Sequence, residues 1–439
     1  MGAMTRSAWR RLVRAAVVAM GVVLLASGTT GSARVPADLP VMDGVPTADA
    51  GEVGMSADRL DRLDRAMQAY VERGDVAGVV SLVARRGKVV HFSAHGERDT
   101  GATMAPDAIF RIASMTKPIA SVALMTLYEE GRFQLRDPIA KWLPEFAEMQ
   151  VASPLTYSGL GRGRYTTAAA AGPITVQHLL THTAGLPNTY RGITKPDFDQ
   201  IGPRGDGDTL ADFSERVATL PLNFDPGEDW EYGRATDLVG LLVEVISGQR
   251  FDRFLQSRLF EPLGMTDTHF FLPEEKLDRF SALYRPDEAR GLAVTERPTP
   301  DSRYVREPHT YFSGAGGLVS TARDYFRFHQ MMLNGGELDG VRILGRKTIE
   351  LMTLNHIGDN EVWLVGPGFG LGYAVVQDPG AAAMPYSVGS YFWWGAFNTT
   401  FWVDPEEELI GILMTQLRPY THLNIRQDLA TLAYQAIVD

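Results

Sequence analysis

Cysteine is absent from the 439-residue sequence, and lysine is rare, with six lysines in the whole chain. Without cysteine the chain cannot form a disulfide framework, a zinc–thiolate or iron–sulfur centre, or a thiol nucleophile. Lysine and arginine total 42 against 53 acidic residues, so the formal net charge is −11. That acidic balance argues against a nucleic-acid-binding protein, whose affinity depends on cationic contacts with phosphates.

The composition is that of a soluble globular protein, with 45% hydrophobic and 22% charged residues. At about 150 residues per domain, the length allows one large domain or two to three of ordinary size. A chain of this length buries enough apolar surface to fold without cross-links. The absence of disulfides therefore does not argue against an extracellular location.

The first 33 residues differ in character from the rest of the chain. Four arginines precede an apolar run at 15–27, namely Arg6, Arg10, Arg11 and Arg14. A basic start, a short apolar run and an exit of small residues are typical of a secretory signal, and the run is shorter than the about 20 residues of a membrane span. The alternatives are an uncleaved anchor and a frayed helix. We expect an exported protein, periplasmic or secreted, with no stable membrane span once residues 1–33 are removed.

The pattern of apolar residues predicts an α+β protein. Strand patterns form one hairpin at 78–92 and another at 401–414, while helical periodicity predominates between them. We therefore predict an antiparallel sheet formed from the N- and C-terminal segments and flanked by helices, with a central helical insertion. The predicted parts are an extended leader at 34–54, a sheet domain of 55–110 plus 311–439, and a mainly helical domain of 111–310.

Local patterns predict where individual elements lie. Helices are predicted after an N-cap at Ser56, at 114–130, 174–180 and 238–246, and from about 424 to 437. Residues 156–172 are rich in glycine and alanine, which predicts a loop near the mouth of the site.

Chemistry is indicated by the stretch Phe110-Arg111-Ile112-Ala113-Ser114-Met115-Thr116-Lys117. Ser114 and Lys117 are three residues apart at a predicted helix start, so they lie on one face. A serine hydroxyl needs a base, and a lysine whose pKa is lowered by its surroundings provides one. Of the six lysines, only Lys117 has a serine three residues earlier. The alternative is an N-capping serine beside a solvated lysine, and spacing alone does not separate the two.

Further blocks extend the pattern along the chain. They lie at 109–117, at 127–132 with Asp137-Pro138, at 174–186 and at 314–324. In this order the sequence resembles the β-lactamase-related serine hydrolases, which include class C β-lactamases and DD-peptidases, and it is most similar to the family VIII carboxylesterases. The resemblance covers nearly all of the chain from Ser56. It implies the serine β-lactamase and penicillin-binding-protein fold, catalysis by Ser114 and Lys117, and no metal or organic cofactor.

The resemblance also implies a catalytic tyrosine, which is Tyr232 in Trp230-Glu231-Tyr232-Gly233-Arg234. A phenol whose pKa is lowered by a nearby ammonium would share the role of base with Lys117. The family usually has Tyr-x-Asn or Tyr-Ser-x here, and Arg234 replaces the asparagine and its hydrogen bond. A packed core tyrosine is the alternative.

A third element of the family is a strand that lines the site, with Lys/His-Thr-Gly in β-lactamases and often Trp-Gly-Gly in the esterases. Alignment back from residues 401–405 places Trp393-Trp394-Gly395-Ala396 there. It implies that Trp393, Trp394 and Gly395 contact the substrate and that the N–H groups of Ser114 and Ala396 form the oxyanion hole. A shift of one residue would give that role to Phe397, and a structural stack of the two indoles is the alternative.

Because an indole brings no charge to meet a carboxylate, we expect a neutral small-molecule ester or amide as substrate. The predicted function is a carboxylesterase acting through an acyl-enzyme on Ser114. The alternatives are a β-lactamase or DD-peptidase, and a penicillin-recognition protein that binds without turnover. No serine has glycine at both −2 and +2, so the α/β-hydrolase nucleophile elbow is absent. His178 and His182, four residues apart, are predicted to be structural rather than metal ligands.

Overall fold

The computed structural model describes residues 44–155, 165–201, 207–288 and 291–439. The predicted secretory signal and the leader up to residue 43 lie outside the described residues. The described part of the leader contains a 3₁₀ turn at Ala50–Val53 and a bridge from Thr47 to Val89. None of the helices in these ranges is long and apolar enough to cross a membrane.

The described ranges contain sixteen strands, which vary in length. They are β1 (Gly78–Arg85), β2 (Lys88–Asp99), β3 (Ala102–Thr103), β4 (Phe110–Arg111), β5 (Gln150–Pro154), β6 (Tyr165–Ala169), β7 (Leu283–Asp287), β8 (Gly291–Glu296), β9 (Val319–Ser320), β10 (Glu337–Leu338), β11 (Val341–Arg342), β12 (Pro367–Phe369), β13 (Ala374–Val376), β14 (Tyr391–Trp394), β15 (Thr400–Asp404) and β16 (Leu409–Met414).

Eight of these strands form the main antiparallel sheet, in the order β12-β13-β14-β15-β16-β1-β2-β3. The N- and C-terminal segments meet where β1 pairs with β16, with Leu82 opposite Ile412. The turn between β1 and β2 is made by Arg86 and Gly87, whose φ values of 53° and 74° match the twist of a tight hairpin. The predicted fold class and both predicted hairpins are confirmed.

Twelve helices accompany the strands in the described ranges. They are α1 (Ala57–Glu72), α2 (Thr116–Glu129), α3 (Val176–Leu180), α4 (Lys195–Ile201), α5 (Leu210–Ala218), α6 (Ala235–Ser247), α7 (Phe251–Leu255), α8 (Glu261–Leu263), α9 (Ala322–Leu333), α10 (Arg346–Met352), α11 (Pro379–Ala382) and α12 (Ile425–Tyr434).

Helices cover both faces of the sheet. Every residue of β1 and β16 is buried, as expected of strands enclosed on both sides. Helices α1 and α12 pack on each other and on this part of the sheet, and α9 packs on the same two strands. The buried side of α1 consists of the residues that its periodicity predicts, Leu60, Leu63, Met67 and Tyr70.

The central segment places α2 at the middle of the molecule. Its residues from Thr116 to Leu127 are all buried, and α2 packs against α6. A helix that is buried all round has no solvent face, which explains why its apolar pattern is nearly continuous. The segment also contains the hairpins β5–β6 and β7–β8. The boundaries of the two predicted domains stay a prediction.

The predicted loop at 156–172 is wrong for residues 165–169. They form β6, in which Thr166 pairs with Ser153 and Thr167 with Ala152 of β5. The alanines and glycines around them suggested a loop, but tyrosine and the β-branched threonines favour an extended backbone once a partner strand is present. Residues 156–164 of that prediction lie outside the described residues.

The contact between Gly411 of β16 and Trp402 of β15 provides a test of sheet packing. A Cβ atom at Gly411 would overlap the indole ring, so we expect Gly411→Ala to lower the free energy of unfolding by about 1–3 kcal/mol. Urea denaturation measures this change. Gly172→Ala is the control, because no atom of the described residues lies within 4 Å of its added Cβ. Equal stability of the two variants would contradict the expected clash.

Candidate active site

Ser114 lies in a 3₁₀ turn, Ala113–Met115, that leads directly into α2. Ala113 has a φ of 44°, an uncommon value for a residue with a Cβ, and such strain persists only where the surroundings enforce it. The turn follows the β4–β9 pair, and the N–H of Ile112 donates to the carbonyl of Leu318 at 3.2 Å. These contacts hold a partly exposed hydroxyl at the N-terminus of a buried helix.

Lys117 is buried beside this hydroxyl, with 3% of its surface exposed. Its Nζ lies 3.5 Å from Ser114 Oγ and donates to the carbonyl of Ala315 at 2.7 Å. The lysine pKa is lowered to about 7, because the effect of burial and the smaller effect of the Arg234 guanidinium outweigh the Asp237 carboxylate, which raises it. A large fraction of this lysine is therefore an uncharged amine near neutral pH, as a base for Ser114 requires.

Tyr232 completes the predicted group, because the Lys117 Nζ lies 4.4 Å from the centre of its ring. The phenol oxygen accepts a hydrogen bond from Trp393 Nε1 at 3.1 Å. The prediction that an ammonium lowers the phenol pKa is wrong in direction. Burial raises the Tyr232 pKa, and the hydrogen bonds of Ser114 and Trp393 oppose that rise only in part. The residue is thus a neutral phenol, which suits it to donate a proton.

A buried carboxylate that the sequence analysis missed organises the other side of Lys117. Asp237, in the first turn of α6, is fully buried. It accepts hydrogen bonds from Ser313 Oγ at 2.7 Å, Arg234 Nε at 2.9 Å, the Ala315 N–H at 3.0 Å and the Tyr311 hydroxyl at 3.0 Å. It therefore fixes the loop whose Ala315 carbonyl holds Lys117. The one available signal was an acidic residue at the start of an otherwise apolar helix.

This carboxylate also explains the departure at Arg234. The guanidinium forms an ion pair with Asp237, with an N–O distance of 2.8 Å. The arginine at this position therefore neutralises the buried Asp237 carboxylate. It does not take over the hydrogen bond that the family's asparagine makes.

The end of β14 packs closely against the Ser114 turn. A Cβ atom at Gly395 would overlap the Ile112 carbonyl oxygen and the Thr399 hydroxyl, so only glycine allows this approach. Ala396 follows in the adjoining turn. Within the described part of the chain, the backbone N–H groups of Ala396 and Phe397 donate to no protein acceptor. The pairing of the Ala396 and Ser114 N–H groups as an oxyanion hole stays a prediction.

The two indoles of β14 lie in different places. Trp393 is buried next to Tyr232, at 5.1 Å between ring centres. Trp394 stacks on Trp393 at 4.4 Å, but its side chain lines a separate cavity next to Arg426. The structure therefore brings Trp393 to Tyr232, but among the described residues the wall of the cavity at Ser114 includes none of Trp393, Trp394 and Gly395, so their contact with a substrate stays a prediction.

The cavity at Ser114 has a volume of about 250 Å³. Its wall includes Lys117, Tyr190, Arg234, Phe271 and Arg303. We expected a neutral substrate because an indole replaces the lysine or histidine that β-lactamases carry on the strand lining the site. Two guanidinium groups, those of Arg234 and Arg303, belong to this wall nevertheless.

Two exposed aromatic side chains border Tyr232. Tyr190 is 56% and Trp363 is 43% exposed. The Trp363 ring centre lies 4.6 Å from that of Tyr232 and 5.6 Å from that of Tyr190. Sequence reasoning missed both residues, because neither lies in a motif and only folding brings them to the site.

The two histidines four residues apart have separate packing roles. His178 Nδ1 accepts the N–H of Thr175 at 3.2 Å and so caps α3. The His182 ring packs between aromatic side chains, 4.9 Å from Tyr232 and 5.4 Å from Phe369. Among the described residues, no group of three or more histidines or carboxylates is arranged to hold a metal ion.

The fold and this constellation are those of a serine hydrolase with a β-lactamase-like architecture. The chain belongs to the β-lactamase family, whose model matches residues 63–435. Esterase EstB of Burkholderia gladioli is 32% identical over 394 residues, which cover 84% of this chain and 93% of EstB. Protein Rv1367c of Mycobacterium tuberculosis (strain ATCC 25618 / H37Rv) is 34% identical over 380 residues, covering 82% and 90%.

Solved structures show the same fold. The structure titled "EstCE1, a hydrolase with promiscuous acyltransferase activity" superposes with a TM-score of 0.72 and 24% identity, over 86% of this chain and 98% of that one. Together with the esterase relatives, the family membership confirms the resemblance to family VIII carboxylesterases and supports esterase-type serine hydrolase activity.

The pKa of Lys117 predicts how the reactivity of Ser114 depends on pH. Since the pKa is lowered to about 7, the ammonium predominates below that pH and the basic amine above it. We expect the rate of Ser114 labelling by a fluorophosphonate to rise with pH through this value and then level off. Mass spectrometry at several pH values measures the rate.

Two variants make this measurement specific. Ser114→Ala is expected to take no label, and Lys117→Arg is expected to label about 10²–10⁴ times more slowly, because arginine stays protonated. A labelling rate that does not change with pH would contradict the assignment of Lys117 as the base.

Proposed function

We propose that this protein is a carboxylesterase that hydrolyses small-molecule esters through an acyl-enzyme on Ser114. The observation that carries the proposal is the distance of 3.5 Å between Ser114 Oγ and the buried Nζ of Lys117. The lysine pKa, lowered to about 7 mainly by burial, makes an uncharged amine available here near neutral pH. Two relatives have esterase names, Esterase EstB at 32% identity and lovastatin esterase of Penicillium rubens (strain ATCC 28089 / DSM 1075 / NRRL 1951 / Wisconsin 54-1255) at 26%.

Acylation begins when Lys117 takes the hydroxyl proton of Ser114 and the Oγ attacks the ester carbonyl carbon. The negative charge that develops on the carbonyl oxygen is held by the N–H groups of Ser114 and Ala396. The C–O bond to the alcohol then breaks. Tyr232 donates its hydroxyl proton to the departing oxygen and recovers a proton from Lys117, so the alcohol leaves neutral and Ser114 carries the acyl group.

Deacylation follows the reverse proton path. A water molecule gives a proton to the Lys117 amine and attacks the acyl carbon, and the bond to Ser114 Oγ breaks. The proton returns from Lys117 to Ser114, and the carboxylic acid leaves. Each step uses groups of this chain and water, and none requires a metal or organic cofactor.

We also propose that the enzyme is exported. Support comes from the basic residues, the apolar run and the small residues within 1–33. Hydrolysis of small esters outside the cell suits a chain without thiols, because the catalytic group contains no cysteine that oxidation would inactivate.

A β-lactamase or DD-peptidase is the second candidate, and the cavity wall favours it. Arg303 lines the cavity at Ser114 beside Arg234, which is paired with Asp237, and the Arg303 guanidinium can pair with a substrate carboxylate. A relative in Escherichia coli O157:H7, 26% identical, has the name putative D-alanyl-D-alanine carboxypeptidase. The two candidates share the nucleophile and differ in the bond that is cleaved.

Turnover of p-nitrophenyl butyrate, compared with nitrocefin, separates these candidates. We expect the ester to be hydrolysed with the higher kcat/KM and Ser114→Ala to lower kcat by about 10³-fold or more, because the nucleophile is lost. Ser121→Ala is the matched control, since Ser121 lies on the same helix outside the catalytic group. Faster opening of nitrocefin would assign the enzyme to the β-lactamases, and full activity of Ser114→Ala would refute the nucleophile.

The proposed role of Tyr232 predicts a dependence on the leaving group. Tyr232→Phe removes the proton donor, so we expect kcat for ethyl butyrate to fall by about 10²-fold or more. For p-nitrophenyl butyrate the loss is expected to be much smaller, because p-nitrophenolate leaves without protonation. Steady-state kinetics on both esters test this. An equal loss on the two esters would instead make Tyr232 a base for Ser114.

A further inference from the structure

A second cavity lies beside the active site, on the side of β14 that carries Trp394. Its volume is about 110 Å³. Most of its wall is apolar and comes from the segment around Leu364, from residues 383–386, from Phe392 and Trp394, and from Ala430 of α12. Among the described residues, no acidic side chain belongs to this wall, and the one cationic residue in it is Arg426.

The Arg426 guanidinium has aromatic neighbours but no carboxylate partner. It lies over the Tyr420 ring at 4.7 Å and over the Trp394 ring at 5.5 Å. It forms no ion pair with any residue in the described ranges. Burial lowers the pKa of this partly buried guanidinium, and Tyr420 and Tyr386 oppose that effect only in part.

The nearby carboxylate is already engaged. Asp404, at the end of β15, is fully buried and accepts the Tyr434 hydroxyl at 2.6 Å and the Ser387 N–H at 2.9 Å. Arg426 hydrogen-bonds Tyr420, and the guanidinium has further N–H groups to offer a ligand. A guanidinium offers a carboxylate two parallel N–H groups, which is the strongest pairing available to it.

Exposed apolar side chains flank the segments that form the cavity. Trp363 and Val365, on either side of Leu364, are 43% and 75% exposed, and Val388, two residues after Tyr386, is 61% exposed. Large exposed apolar side chains beside a cavity favour an apolar ligand there. An aliphatic chain that enters the cavity would cover part of this surface.

We propose that this cavity binds an amphiphilic monocarboxylate, with its carboxylate on Arg426 and its hydrocarbon chain against Trp394, Phe392 and Met384. The ligand site is separate from the Ser114 cavity, with which it shares no wall residue. The indoles of Trp394 and Trp393 connect the second cavity with Tyr232. Trp394 stacks on Trp393 at 4.4 Å, and Trp393 donates to the Tyr232 hydroxyl at 3.1 Å.

Isothermal titration with octanoate tests the proposal, using Ser114→Ala protein and wild-type protein phosphonylated on Ser114. Equal octanoate affinity in both forms is expected, because neither change touches the second cavity. Arg426→Gln in the Ser114→Ala background is expected to weaken octanoate binding about tenfold or more, the loss of a charge-assisted pair. It should change the affinity for octanol by less than about threefold. Arg418→Gln is the matched control, since Arg418 is exposed and outside the cavity wall.

Two further variants separate a loss of binding from a loss of folding. Arg426→Lys keeps the charge and is expected to retain octanoate binding at reduced affinity. Ala430→Trp fills the cavity and is expected to abolish binding of both octanoate and octanol, with tryptophan fluorescence and thermal unfolding reporting on the fold. The proposal is overturned if octanoate does not bind, if Arg426→Gln leaves its affinity unchanged, or if phosphonylation of Ser114 blocks it.

Discussion

The burial of Lys117 is the constraint on which the catalytic site depends. An ammonium inside a protein is costly, and here the desolvation converts the lysine into a base near neutral pH. The cost is limited by one short hydrogen bond, from Nζ to the Ala315 carbonyl at 2.7 Å. The same bond sets the position of the amine relative to Ser114, so stability and reactivity depend on one contact.

The position of that carbonyl depends in turn on Asp237. A fully buried carboxylate with four donors, one of them the Arg234 guanidinium, ties α6 to the loop that carries Ala315. The Arg234 cation neutralises Asp237. The Asp237 carboxylate in turn raises the pKa of Lys117, which opposes the effect of burial. Tyr232 stays protonated in this environment because burial raises its pKa. Desolvation therefore favours the neutral form of both groups, an amine that can accept a proton and a phenol that can donate one.

Local sequence patterns predicted the elements with strong periodicity. The apolar spacing in α1 and the two hairpins around Arg86-Gly87 and Asp404-Pro405 depend on neighbours within a few residues, and they are found where expected. Strand β6 was missed because a short strand with small residues depends on its partner β5, which the local sequence does not contain. The direction of the Tyr232 pKa was predicted wrongly because burial depends on residues from several distant segments.

By itself the sequence predicted that Ser114 and Lys117 lie side by side, because a spacing of three at a helix start places two side chains on one face. It also determined the family, through blocks that occur in one order. Tertiary structure alone decided three features of the site. They are the role of Asp237, the aromatic border formed by Tyr190 and Trp363, and the different surroundings of Trp393, next to Tyr232, and of Trp394, in the second cavity. Those features depend on contacts between residues far apart in the chain, and their energies arise from burial that no local pattern contains.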